Sequence, residues 1–246
     1  MMLEYKHLTP EKAEAFRKAS ASADICELFS YAFMLPSEEF VSALLSGSFS
    51  QDMCDCSREL LSLEDEAFIR TTSSLIGELD RVLEPADDRT QLLFSLQAEY
   101  TRLYVVSGRA PLIFPFESAF KHVAGGHEGV PTLFISPITL DVEKQMKRLN
   151  ALPENALKEP VDSMAAEMDF LRYLYTQTAH AIYHDSEETT SAWLEEILTF
   201  RKTHFDTWLD AFMERTIQLT NLPIYRIIAS LARITLTALY PEKGDG

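Results

Sequence analysis

Glu117 sits in the run Pro111-Leu112-Ile113-Phe114-Pro115-Phe116-Glu117-Ser118-Ala119-Phe120, where two prolines and three phenylalanines surround one carboxylate with apolar surface. As structure alone, the phenylalanines are core and Glu117-Ser118 caps a short helix entering Phe120–His122. Glu167 is a second carboxylate of this kind. At about 100° per residue it falls within about 60° of the centre of the stripe Met164, Met168, Leu171, Tyr175, Thr178 and Ile182, while Asp169 points away. Asp162, two residues after Pro160, is placed to cap that helix, and the macrodipole favours acidic residues in its first turn. Glu99 borders Leu92, Leu96 and Leu103, and Arg102, three residues on, reads as its partner in a structural ion pair.

Other chemistry is poorly served. Cys54-Asp55-Cys56 with Asp52 lacks the second Cys/His pair that a structural zinc site needs. His122 and His127 flank Gly125-Gly126 in a loop and read as solvent-facing, and His204 reads as a satisfied core histidine. There is no Walker loop, dinucleotide turn, His-Glu-x-x-His pair or Gly-x-Ser-x-Gly elbow, so the expectation is a binding protein, not an enzyme, without metal or other cofactor.

The 38 acidic against 22 basic residues leave a net charge of −16. Such a surface repels nucleic acid and anionic membranes and attracts cationic segments. Three cysteines fit a reducing compartment better than a disulfide framework. The first residues, Met1–Tyr5 and Lys6 with Glu11 and Glu14 behind them, lack the pattern of a secretory signal. The most apolar stretch, Leu222–Tyr240, contains Arg226 and Arg233 and falls short of a membrane span. A cytoplasmic protein without stable membrane insertion is expected.

These side chains must be carried by helices. Apolar residues at helical spacing predict helices over Ala13–Met34, a short one from Ser37, then Ser57–Leu83, Asp87–Val106, Pro137–Leu149, Asp162–Tyr183, Glu187–Gln218 and Pro223–Leu239. Pro36 and Pro85 break the pattern, Ser107-Gly108 ends the fourth helix, and an extended run, Arg109–Phe116, follows. Ser46–Ser57 and Ala110–Pro137 read as loops, and Thr132–Ile135 alternates too briefly to make a sheet. The expected fold is all-α, one domain over 1–246, a bundle of roughly eight to ten helices with a hinge near 150–163.

Three motifs, in order, resemble the TorD/DmsD/NarJ family of redox-enzyme maturation chaperones. They are Glu99-Tyr100-Thr101-Arg102-Leu103-Tyr104 followed by Pro115-Phe116-Glu117-Ser118; Glu159-Pro160-Val161-Asp162-Ser163 leading into Glu167-Met168-Asp169; and Phe200-x-x-x-His204-x-x-x-Trp208 with Phe212. Ser163 stands where the family usually has histidine. The resemblance implies a TorD/DmsD-like bundle that binds the twin-arginine leader, and the apo form, of a molybdopterin-dependent reductase before its export. The alternatives are a NarJ-type chaperone for a nitrate reductase catalytic subunit, or a generic helical adaptor for a basic segment. On the first reading Glu117, Asp162 and Glu167, with Glu159 and Ser163 beside them, receive the leader's arginines, whose forked donors suit carboxylates. Tyr104, Phe114, Phe116 and Phe120 take its apolar part. Either a monomer or a homodimer is compatible with a hinge at Pro160.

Overall fold

The computed structural model describes residues 8–60, 66–84, 88–105, 110–154, 156 and 158–240. Among them the chain forms eleven α-helices: α1 Pro10–Ala32, α2 Glu38–Ser46, α3 Ser48–Leu60, α4 Glu66–Leu83, α5 Arg89–Tyr104, α6 Glu117–Ala124, α7 Pro137–Arg148, α8 Met164–Tyr183, α9 Glu187–Thr203, α10 Leu209–Leu219 and α11 Pro223–Thr237. A single 3-10 turn, Phe205–Thr207, separates α9 from α10. The fold is an all-α bundle, and the only extended pairing among the described residues is one antiparallel bridge between Phe116 and Ser163. No helix among them is long and apolar enough to cross a membrane.

Local chemistry starts these helices. Thr9, Ser37, Asp88, Ser136 and Ser163 each accept a backbone N–H from the first turn behind them, removing one of the unpaired donors there. Pro10, Pro137 and Pro223 stand in first turns, where a missing N–H costs nothing. The long helices α1 and α8 pack along one another, with α9 on α8, while α11 lies against α1, α4 and α10. One contiguous apolar core runs through them from Ala21 to Leu239.

Four expectations are corrected. Ala110–Pro137 is not loop throughout, because α6, Glu117–Ala124, lies inside it. Ser46–Ser57 is not a loop: Gly47, at φ +76°, ends α2, and α3 follows at once. Its serines, aspartates and cysteines mask a buried stripe of Phe49, Met53 and Leu60. Glu187–Gln218 is not one helix, because His204 takes φ −123° and ψ −83° and turns the chain without a glycine or proline. Asp162 does not cap α8, a role that Ser163 takes by accepting from the Ala166 N–H at 3.1 Å. The predicted break at Pro85, the start at Asp87, the stop at Ser107-Gly108, Arg109 and the first residues to Lys6 lie outside the described residues.

Candidate functional site

The Pro115–Glu117 strap is fastened to the segment ahead of α8. Glu117 N–H donates to the Asp162 carbonyl at 2.7 Å, and Met164 N–H donates to the Pro115 carbonyl at 2.9 Å. Asp162 then turns its carboxylate back onto the strap, where it accepts the Ser118 N–H at 2.9 Å. The aspartate expected to start α8 therefore serves the first turn of α6, where the macrodipole favours its charge.

Glu117, Asp162 and Glu167 are all fully buried and meet beneath this bridge. Glu117 accepts from Lys121 Nζ one turn along α6, from Thr207 Oγ1 at 3.4 Å and from His204 Nδ1 at 2.8 Å. The other ring nitrogen of His204 lies 3.0 Å from an Asp141 carboxylate oxygen on α7. With a carboxylate at each nitrogen the imidazole carries both protons. Burial pulls the His204 pKa down, but the bonds to Glu117 and Asp141 outweigh it and raise it above the ordinary value. Burial likewise pushes Glu117 up, and His204 and Lys121 reverse that, holding it low.

Glu167 has no such cation. Trp208 donates its indole N–H to one carboxyl oxygen at 3.0 Å, and the other receives no donor from the described residues. Burial first, then the facing Glu117 charge, raises its pKa well above the usual carboxylate range. A protonated Glu167 can donate to Glu117, which satisfies the second oxygen. Burial also raises Asp162, against bonds from Ser118 and Thr139 that lower it.

The floor of the cluster is aromatic. Phe120 packs on Trp208 and Phe212, and Tyr104 stacks on Phe212 with ring centres 5.6 Å apart. Such pairs add about 0.5–1.5 kcal/mol each beyond area burial, so this floor is rigid. Tyr104 also shares a hydrogen bond with Thr216 at 2.9 Å.

The nine residues singled out from sequence thus fall into two layers. Glu117, Asp162, Glu167, Tyr104 and Phe120 are buried. Phe114, Phe116 and Ser163 are half-buried and Glu159 is exposed beside Tyr100, with exposed Val105 and Leu112 near the strap's ends. A cleft of about 270 Å³ flanks the segment between α7 and α8, walled by Met146, Leu152, Phe170 and Tyr173 and edged by Glu154 and Asp169. Glu99 and Arg102 stand apart: Arg102 grips Glu99 with two bonds of 2.8 Å, and Thr220 and the Asn221 N–H complete the carboxylate's shell. Despite burial, those donors hold Glu99 down to about 2.

Sequence reasoning missed Lys121 and Asp141 and took His204 and Trp208 of the third motif for ordinary core. The Glu117–Lys121 spacing of four was a readable signal; the convergence of His204 and Trp208 depends on the break at His204, which no residue type marks. Cys54 and Cys56 are half-buried on α3, and no group of three metal-ligating side chains gathers among the described residues.

A family model described as "Nitrate reductase delta subunit" matches residues 66–214. The chain is 28% identical over 173 residues, 69% of its length and 70% of the relative's, to the "Chaperone protein TorD" of the classical Ogawa strain of Vibrio cholerae serotype O1. The protein of the same name from the El Tor Inaba strain is 27% identical over the same span. No solved structure matches at a comparable level.

Proposed function

The chain belongs to the nitrate reductase delta subunit family, and from that membership together with the site's layering we infer that it is a non-enzymatic chaperone attending a redox enzyme during its assembly. On this reading its client is the apo form of a molybdopterin-containing reductase subunit, held in the cytoplasm by its twin-arginine leader until the cofactor is inserted. The observation that carries the reading is that one segment carries accessible apolar side chains, Leu112, Phe114 and Phe116, into Glu117, which is buried with Asp162 and Glu167 where the strap is fastened ahead of α8. A leader pairs two guanidinium groups with an apolar stretch, and this site offers the complement of both.

Encounter begins at the surface. The acidic surface draws the leader in, Glu159 meets an arginine at the rim, and the apolar stretch settles on Leu112, Phe114 and Phe116. The arginines reach Glu117, Asp162 and Glu167 only when the Phe116–Ser163 bridge parts, so the closed form described above is the unliganded one. Each desolvated charge-assisted bond contributes about 1.5–3 kcal/mol, and ordering the leader costs about 2–5 kcal/mol, which leaves an affinity near micromolar. Such an affinity allows release of the finished client.

The test is a Glu117→Gln, Asp162→Asn double variant whose helical content and unfolding are first shown to match the parent. Its affinity for a twin-arginine peptide should fall at least tenfold, and unchanged binding would remove these carboxylates from the site. The words nitrate reductase in the description of the family favour a second client class, for which we propose the N-terminus of a nitrate reductase catalytic subunit. Binding of that N-terminus with no response to a leader would select it.

A further inference from the structure

We propose that Glu167, Glu117 and His204 form a proton-loaded latch that fastens the Pro115–Glu117 strap to α8 and to the α9–α10 break, and that losing those protons frees the strap. The latch deepens the proposed function, resting on it for the leader, but it is a property of the chain alone and can be tested with no leader present.

The geometry comes from five elements. From α6, Glu117 and Lys121 face the cluster; from α7, Asp141, with the charge of Lys144 near it; from the segment before α8, Asp162; from α8, Glu167; and from the break, His204. Thr207 and Trp208 add neutral donors. Glu117 is bonded by Lys121 and Thr207 at one oxygen and by His204 at the other, and it faces the Glu167 carboxyl, whose proton lets that group stand beside it without a second charge. Lys121 lies on α6 itself, His204 and Thr207 lie at the break and Glu167 lies on α8, so the carboxylate of one strap residue ties α6 to α8 and to the break. Two protons hold that arrangement. Removing the one on Glu167 turns a hydrogen bond between two fully buried carboxyl groups into the apposition of two like charges. Removing one from His204 costs either Glu117 or Asp141 its imidazole donor, leaving Asp141 with Gln145 or Glu117 with Lys121 and Thr207. What remains is Glu117, Glu167, Asp162 and Asp141 against the single positive charge of Lys121 within the cluster. Burial keeps water from screening the imbalance among Glu117, Glu167 and Asp162, and the strap, held otherwise by its backbone bonds to Asp162 and Met164 and by the Ser118 N–H on the Asp162 carboxylate, is the piece that can move. A guanidinium entering the opened cluster supplies the missing charge, so the leader takes the place of protons.

The chain has two tryptophans, Trp193 and Trp208. In a Trp193→Phe background, Trp208 alone reports on its bond to Glu167. In a titration from about pH 5 to about pH 9, spanning the imidazole range, its emission should show one transition to a wetter environment. Over the same range the exchange-protection factors of the Glu117 and Met164 amides should fall at least tenfold. Glu167→Gln, which keeps a donor toward Glu117 and an acceptor for Trp208 without a titrating proton, should flatten the carboxyl part of the transition and hold the amides protected. Glu117→Gln, which removes the like charge instead, should do the same and carries the test should the first variant not fold. A parent chain with flat emission and constant protection across the range would overturn the latch, as would a Glu167→Gln titration superimposable on the parent's.

Discussion

His204 Nδ1 lies 2.8 Å from a carboxylate oxygen of Glu117, across 87 positions of sequence, and its other ring nitrogen lies 3.0 Å from Asp141. One imidazole thus joins α6, α7 and the turn between α9 and α10. His204→Ala would leave a fully buried Glu117 with Lys121 as its one cation, beside Thr207 and the proton of Glu167. Removing one partner of a buried ion pair costs about 3 kcal/mol or more, and urea unfolding should show a loss of that size. A loss under about 1 kcal/mol would mean that water or a repacked neighbour takes over the imidazole's role.

The pH dependence of stability has a definite sign on each limb. His204 has a raised pKa, so its contribution is full below about 6.5 and is lost as the pH rises through the folded value. Glu167 and Asp162 are raised carboxyls, and their contribution likewise falls as the pH climbs from the ordinary carboxylate range toward their folded values. Glu117, Asp141 and Glu99 are lowered, so theirs is present above the ordinary range and is lost as the pH falls, for Glu99 toward about 2. Maximum stability should therefore lie on the acid side of neutrality. Denaturant midpoints measured across pH should fall toward alkali, and Glu167→Gln should make that limb shallower; a parent most stable at alkaline pH would contradict the assignment of protons.

Arg102 separates a structural pair from a binding one. Glu99 and Arg102 tie α5 to the turn before α11 through the Leu219 carbonyl, Thr220 and Asn221. Arg102→Ala should cost about 1–2 kcal/mol of stability, because Glu99 keeps two other donors, and should leave leader affinity within about twofold in a peptide titration at a temperature where both proteins are folded. A tenfold loss of affinity with stability intact would move this pair into the site.

The rim should show the opposite pattern. Leu112 is 46% exposed and Phe116 is half-buried, so Leu112→Ala barely changes stability and Phe116→Ala changes it modestly. Each truncation removes apolar area from the proposed peptide contact, and about 1.4 kcal/mol of it corresponds to a tenfold weaker leader complex. Glu159→Gln should weaken binding less, and mainly at low salt.

Much of this was legible before any coordinates. Apolar spacing marks α1, α5, α7 and α8, because burial of one face is a local demand written in local residues, whereas the cap of α8 was read one residue early, at Asp162 instead of Ser163. Helix α3 was hidden because Ser48, Gln51, Asp52 and Asp55 cover its outer face and the inner one mixes only three large apolar residues with the buried Ser50 and Ser57. The break at His204 was hidden for a different reason: what turns the chain there is the tertiary demand of Glu117 and Asp141 for the imidazole. Glu117 and Glu167 could be picked out as carboxylates on apolar ground, and the three site motifs resemble one family. That the two carboxyls face one another with a single proton to share could not be read from positions 50 residues apart, and it is the burial that makes the pairing consequential.

The most direct measurement is a calorimetric titration of the purified full chain with twin-arginine leader peptides from reductases of its own organism. Matched peptides with both arginines changed to lysine, or with the apolar stretch made polar, should be run at low and moderate salt. The account predicts saturable binding near micromolar, weakened by each change, because the guanidinium forks and the apolar stretch engage different layers of one site. Absence of binding to every leader, or binding that lysine peptides reproduce and salt alone abolishes, would contradict it.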